Sequence, residues 1–289
     1  MATVHKATID LFDRIYPLLE YFNIKGMNRD SWFELLSTRW SSKQDHFGYV
    51  LMEDKKVVGF LGTFFYERTF EGVEHALCNL FCWYVLEEYR SRKEGLLLLL
   101  AVVKLKDTTI TSLTPSAEAQ MIYERFQFTL LESKVRIFSL LPIFPFRSGI
   151  EFVSDPNTIR SRLNPQDRQL FEDHSFPSCR HLLLVSRADH QRYCYLVYND
   201  VRKKGLRFSQ VYFISNREFF DRVFARIQWF FFRKNRTFFT VIDKRLIAGS
   251  SPGPGLDYSL RFPRLFRSVG LRPEQIDNLY TELLFLKRI

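Results

Sequence analysis

The sequence has no Cys-x-x-Cys pair. Its four cysteines, Cys78, Cys82, Cys179 and Cys194, lie apart, so neither a zinc site nor a dithiol redox motif is supported and no metal is expected. Cys78 and Cys82 fall four apart in a strand pattern, which predicts two buried, reduced thiols on one face. A membrane-spanning helix needs ~20 apolar residues, and the longest run, Gly95 to Val103, is about half that. The opening MATVHKATIDLF lacks the basic region, apolar stretch and small-residue cleavage site of a secretory leader, and a cytoplasmic protein is expected. No Ser-His-Asp or Cys-His set has a recognisable spacing, which argues against covalent nucleophilic catalysis. No recognised nucleic-acid module occurs either.

What is present is length, apolar content and positive charge. The 289 residues, 46% of them hydrophobic, suffice for one large domain or two of ordinary size. Lys and Arg total 42 against 32 Asp and Glu, a formal charge of +10. Such a surface attracts phosphates, whether of nucleic acid, anionic lipid or nucleotide cofactors. Many of the 30 Phe occur in strand-like stretches such as FLGTFFYERTF and belong to core or interface.

Periodicity predicts a strand over Val4 to Ile9, then an amphipathic helix with Leu11, Ile15, Leu18, Leu19 and Phe22 on one face and Asp10 as its cap. A helix over Ser31 to Ser37 follows, then strands in HFGYVLMEDKKVVGFLGTFFYERT, turning at EDKK, and in EHALCNLFCWYVL. After the apolar run come a strand in DTTITSLT, a helix in PSAEAQMIYERFQF and a strand ending the domain near Glu132 to Leu141. The reading is α+β: domain one at 1–140, a proline-rich linker at 141–165, and domain two at 166–289. The second domain repeats the order of elements without a repeat of residues. RPEQIDNLYTELLFL predicts a terminal helix with Pro273 in its first turn.

VVGFLGT, then VLEEYRSRKEG, then PSAEAQMIYERFQF, in that order, resemble the GNAT superfamily of acyl-CoA-dependent N-acyltransferases over roughly residues 4–135. The resemblance implies tandem GNAT-like domains, each a mixed, mostly antiparallel sheet flanked by helices, the second degenerate because ISNREFF has no glycine at the loop position. It implies that Trp83, Tyr84 and Val85 bond the pantetheine arm of acetyl-CoA or another acyl-CoA. Arg90, Ser91, Arg92, Lys93, Glu94, Gly95 and Leu96 then form the pyrophosphate turn, at a helix N-terminus whose N–H groups and dipole favour an anion. The family pattern has glycine where Lys93 and Gln127 stand.

Tyr123 matches the tyrosine that protonates the departing thiolate in many family members, a transfer between groups of roughly comparable basicity. Glu87, Glu88, Glu74 and His75 are candidates for the general base, Glu87 foremost. The implied reaction is direct attack of an amine on the thioester, the acceptor being a small-molecule amine or sugar amine, or a protein amine. Two other classes stay open: a non-catalytic GNAT-fold protein that binds acyl-CoA or scaffolds partners, and, ranked below it, a basic binder of nucleic acid or anionic surfaces, suggested by RKNR at 233–236.

Overall fold

The computed structural model describes residues 1–41, 43–140, 149–250 and 252–286. The chain runs β1 (Thr3–Lys6), α1 (Phe12–Glu20), α2 (Arg29–Ser37), β2 (Gly48–Glu53), β3 (Lys56–Phe70), β4 (Val73–Val85), α3 (Glu87–Arg90), α4 (Leu96–Val103), β5 (Thr108–Ser112), α5 (Ala117–Arg125) and β6 (Thr129–Ser139). It continues with β7 (Ile150–Val153), α6 (Pro156–Arg162), α7 (Pro165–Asp173), β8 (Arg180–Ser186), β9 (Tyr193–Lys203), β10 (Leu206–Ile214), α8 (Arg217–Asn235), β11 (Phe239–Asp243), β12 (Leu256–Arg267) and a short α9 (Leu283–Leu286). The stretch expected as a linker carries β7 and α6, and its residues 141–148 lie outside the described residues.

Two compact units divide the chain: Met1–Leu131 with Phe262–Gln275 and Tyr280–Leu286, and Glu132–Arg261 with Ile276–Leu279. In the first, the strand order is β1-β2-β3-β4-β5-β12, with β4 and β5 parallel and the other pairs antiparallel. The β2–β3 turn forms at Asp54 and Lys55, both at positive φ (48° and 65°), which suits the right-handed twist of a two-residue hairpin. Helices α1 and α2 cover one face through Ile15, Leu19, Trp32 and Leu35; α4 and α5 cover the other through Leu98, Leu99, Val102 and Tyr123. Each buried Leu or Val of α4 contributes roughly 1.5–3 kcal/mol. At about 1.5 Å per residue α4 is about 12 Å long, and no helix among the described residues is long and apolar enough to cross a membrane.

The second unit has the same plan: β6-β11-β10-β9-β8-β7, with β10 and β11 parallel and the crossover made by α8. Phe220, Val223, Phe224, Ile227 and Phe231 of α8 recur at helical spacing and pack on Leu182, Leu196, Val211 and Ile242. Asn216 caps the helix by accepting from the Phe219 amide at 3.0 Å. The fold is α+β, built from two such mixed, mostly antiparallel sheets with flanking helices.

Four local expectations need correction. The strand after α5 does not close the first sheet: from Val135 to Ser139, β6 pairs with β11, and the place beside β5 goes to β12, with Leu265 opposite Ser112. Local periodicity gives strand propensity but not the partner, and loop length adds only slowly to the cost of a distant one. Asp10 is not a helix cap: Ile9–Leu11 forms a 3-10 turn, with Asp10 inside it, before α1 begins. The terminal helix is two short turns, Pro273–Gln275 and Leu283–Leu286. The chain between them breaks helical geometry at Tyr280, φ 58°, whose ring stacks on Tyr66 at 4.5 Å. The fourth, concerning Cys78 and Cys82, arises at the site.

Candidate active site

The site belongs to the first unit and begins with a bulge. On β3, Phe60 and Gly62 face Tyr84 and Phe81 of β4, so two steps on β3 match three on β4. The extra residue is accommodated with Cys82 at φ 49°. A β-bulge of this kind re-aims the side chains beyond it. Cys78 and Leu80 point to the α4 side, Cys82 and Tyr84 to the α1 side, and Trp83 and Val85 to the α4 side again. The two cysteines therefore do not share a face. Pairing of β4 with β5 covers Ala76–Leu80 and stops at Ser112. The bulged stretch Phe81–Val85 runs past that pairing, leaving a backbone edge that β5 does not occupy.

The turn into α4 is fastened to the end of β4. Arg90 Nε donates to the Val85 carbonyl at 2.8 Å, and its guanidinium lies 5.1 Å from the Tyr84 ring centre. Gly95 is required by close approach: a Cβ there would come 2.9 Å from Val85 Cγ2. Arg92 pairs with Glu53 at 3.3 Å and covers the Tyr89 ring. Glu94 accepts from the Ala2 amide at 3.4 Å. The amides of Leu96, Leu97 and Leu98 bond to the carbonyls of Lys93, Glu94 and Gly95 in a tight first turn. Ser91, Arg92 and Lys93 are exposed.

Tyr123 is brought to the same place from α5. Its ring centre is 5.6 Å from Trp83 and 4.9 Å from Phe128. The helix stops just beyond it: the Phe128 amide donates to the Tyr123 carbonyl and the Gln127 amide to that of Glu124, both at 3.1 Å, with Gln127 at φ 65°. These bonds and the Tyr123–Phe128 ring contact make a Schellman motif, which fixes the last turn. The phenol is 2% exposed and shares a hydrogen bond with the Ser112 side chain. Burial holds its pKa well above the ordinary tyrosine value, and the charge of Glu282 adds to the rise.

Glu282 is the residue that the sequence reading missed. It is fully buried in the Tyr280–Leu286 segment. Asn79 Nδ2 donates to its Oε2 and Thr114 Oγ1 to its Oε1, each at 2.6 Å, while Thr111 Oγ1 donates to Asn79 Oδ1 at 3.0 Å. Burial raises its pKa; the bonds from Thr114 and Asn79 and the charge of Arg264 pull the other way. A lone acid inside YTELLFL is the signal that could have found it. Glu87 and Glu88 are exposed on α3. Glu74 pairs with Lys43 at 2.9 Å near the opposite end of β4, and His75 lies beside it, roughly 25 Å of strand from the bulge.

No family model matches the sequence, and no curated protein matches it. Solved structures do match. A GCN5-related N-acetyltransferase from Anabaena variabilis superposes with a TM-score of 0.64 at 12% identity, over 92% of this chain and 72% of that one. A tandem GNAT protein from the clavulanic acid biosynthesis pathway gives 0.53 at 12% identity, over 94% of this chain and 100% of that one. The fold is that of the GNAT superfamily. Saccharomyces cerevisiae N-myristoyltransferase, solved with bound myristoyl-CoA, is similar at a TM-score of 0.51 and 9% identity, over 92% of this chain and 82% of that one. The two departures from the GNAT glycine pattern, Lys93 and Gln127, hold φ of 60° and 65°. The turns that glycine favours are kept without the glycine.

Proposed function

We propose that this chain transfers an acetyl or related acyl group from acyl-CoA to an amine by direct attack on the thioester. The observation that carries the reading is the bulged stretch of β4 beyond its pairing with β5, leading into a basic, glycine-closed turn at the N-terminus of α4. A pantetheine arm is an amide chain and can replace β5 as hydrogen-bonding partner along Trp83–Val85. Arg90, Ser91, Arg92, Lys93, Glu94, Gly95 and Leu96 then surround the pyrophosphate, with the helix dipole behind them. Arg90 and Arg92 are already engaged with Val85 and Glu53, so Lys93 is the side chain with charge to give. Tyr123, beside Trp83, donates a proton to the departing thiolate.

The proposed reaction uses no metal. The acceptor is a small-molecule amine, such as a sugar amine, or a protein amine, and the reaction belongs to the cytoplasm. Calorimetry with acetyl-CoA tests the reading: one saturable site per chain is expected, and folded protein that takes up none at millimolar ligand contradicts it. The enclosure of Tyr123 favours a second reading, acyl-CoA binding without transfer. Binding with no release of CoA across a wide amine panel selects it.

A further inference from the structure

Direct attack needs an uncharged amine, so a group must take a proton from the ammonium form. Burying a carboxylate is costly unless it is paired or hydrogen-bonded, and beyond the buried Arg264, whose charge partly offsets that cost, the packing around Glu282 is apolar. Leu283, Leu284 and Leu286 beside it are buried and apolar, and Tyr280 and Phe285 contact the Trp40 ring. Glu282 nevertheless has a donor on each oxygen. One donor, Asn79, lies on β4 beside the last β4–β5 rung, Leu80 opposite Ser112. The other, Thr114, is exposed, so its hydroxyl links the surface to the buried carboxylate in a single 2.6 Å step.

We propose that Glu282 is the proton acceptor for the attacking amine, reached through the hydroxyl of Thr114. The inference rests on the acyl-transfer reading and takes the role from the exposed Glu87. An ammonium proton passes to Thr114 Oγ1 as the Thr114 hydroxyl proton moves to Glu282 Oε1. The freed nitrogen lone pair attacks the thioester carbonyl carbon and forms the C–N bond. The C–S bond then breaks with its electron pair on sulfur, which takes the Tyr123 hydroxyl proton. The nitrogen gives its surplus proton to the tyrosinate, and Glu282 returns its own to solvent through Thr114. The balance is amide, thiol and one released proton.

The two ionisable groups help each other. Ionised Glu282 holds the Tyr123 pKa up, so protonating the carboxylate makes the phenol a readier donor when the thiolate leaves. Among the described residues, the charged and titratable groups that act on or feel Glu282 most are Arg264 of β12 and Tyr123 of α5. Neither supplies a second carboxylate.

The test measures CoA thiol release from acetyl-CoA with a panel of primary amines across pH, with acetyl-CoA affinity measured in parallel, for the wild type, Glu282→Gln and Thr114→Val. The wild-type kcat/KM is expected to rise with pH as Glu282 ionises, above the ordinary carboxylate range. Both variants are expected to keep acetyl-CoA affinity and lose about 10²-fold in kcat/KM, and Glu282→Gln to lose that acid limb as well. Wild-type rate and an unchanged acid limb in Glu282→Gln overturn the inference. If that variant does not fold, Thr114→Val, altered at the surface, decides on rate alone. A wild type that binds acetyl-CoA and releases no thiol overturns the inference and leaves binding; a wild type that does not bind it removes the acyl-transfer reading as well.

Discussion

Asn79 donates a 2.6 Å hydrogen bond to Glu282 across 203 positions of sequence, and Asn79 is itself held by Thr111. Removing one partner of a buried, charged hydrogen bond leaves the other unsatisfied and costs more than the bond contributes. Asn79→Leu is therefore expected to lower the stability of the first unit by roughly 2–4 kcal/mol, read from urea denaturation, and to push the Glu282 pKa higher still.

The raised pKa of Glu282 has a defined sign in stability. Both folded and unfolded forms are protonated well below the unfolded carboxylate value of about 4.3, where the group costs nothing extra. As pH rises through the folded value, the native state must ionise a buried group and stability is lost. Glu282→Gln removes this slope. The wild-type-minus-variant difference in unfolding free energy is expected to fall with rising pH across that window; a flat difference contradicts the shift. The difference is needed because other carboxylates act oppositely. Asp257, between Lys244 and Arg136, is held down to about 2 and contributes stability that is lost in acid.

Lys93 and Gln127 stand in left-handed turns that cost a side-chain residue about 1–2 kcal/mol, of which glycine returns part because it loses more entropy on folding. Gln127→Gly is expected to stabilise by about 0.5–1 kcal/mol, measured as a rise in Tm, with acetyl-CoA affinity unchanged. Lys93→Gly is expected to stabilise similarly but to weaken acetyl-CoA binding about three- to tenfold, because it removes an exposed positive charge beside the pyrophosphate. Tighter binding by Lys93→Gly would mean that the side chain crowds the site.

Tyr123→Phe separates binding from proton donation. The ring contacts with Trp83 and Phe128 persist and only the hydroxyl is lost. The expected result is a fall of about 10²-fold in kcat with acetyl-CoA affinity nearly intact. Equal loss of affinity would make the role structural.

Much of this was legible where the physics is local. The apolar helix at 96–103, the helix bearing Tyr123 and the strand before the loop follow from periodicity, and the turn between strand and helix from the resemblance to the GNAT pattern. The bulge was not, because Cys82 takes its left-handed conformation from pairing against β3, and the same shift put Cys78 and Cys82 on opposite faces. Nor was the pairing of β12 with β5, which joins segments distant in the chain. Glu282 shows the same limit: its acid is visible in an apolar run, but its partners Asn79 and Thr114 are supplied by the fold.

Hydrogen–deuterium exchange with and without saturating acetyl-CoA tests the central claim most directly. Amides over 83–98, on β4 beyond its pairing with β5 and in the turn into α4, are expected to slow markedly on binding, with little change in the second unit. Exchange over 83–98 that ignores acetyl-CoA would contradict the account.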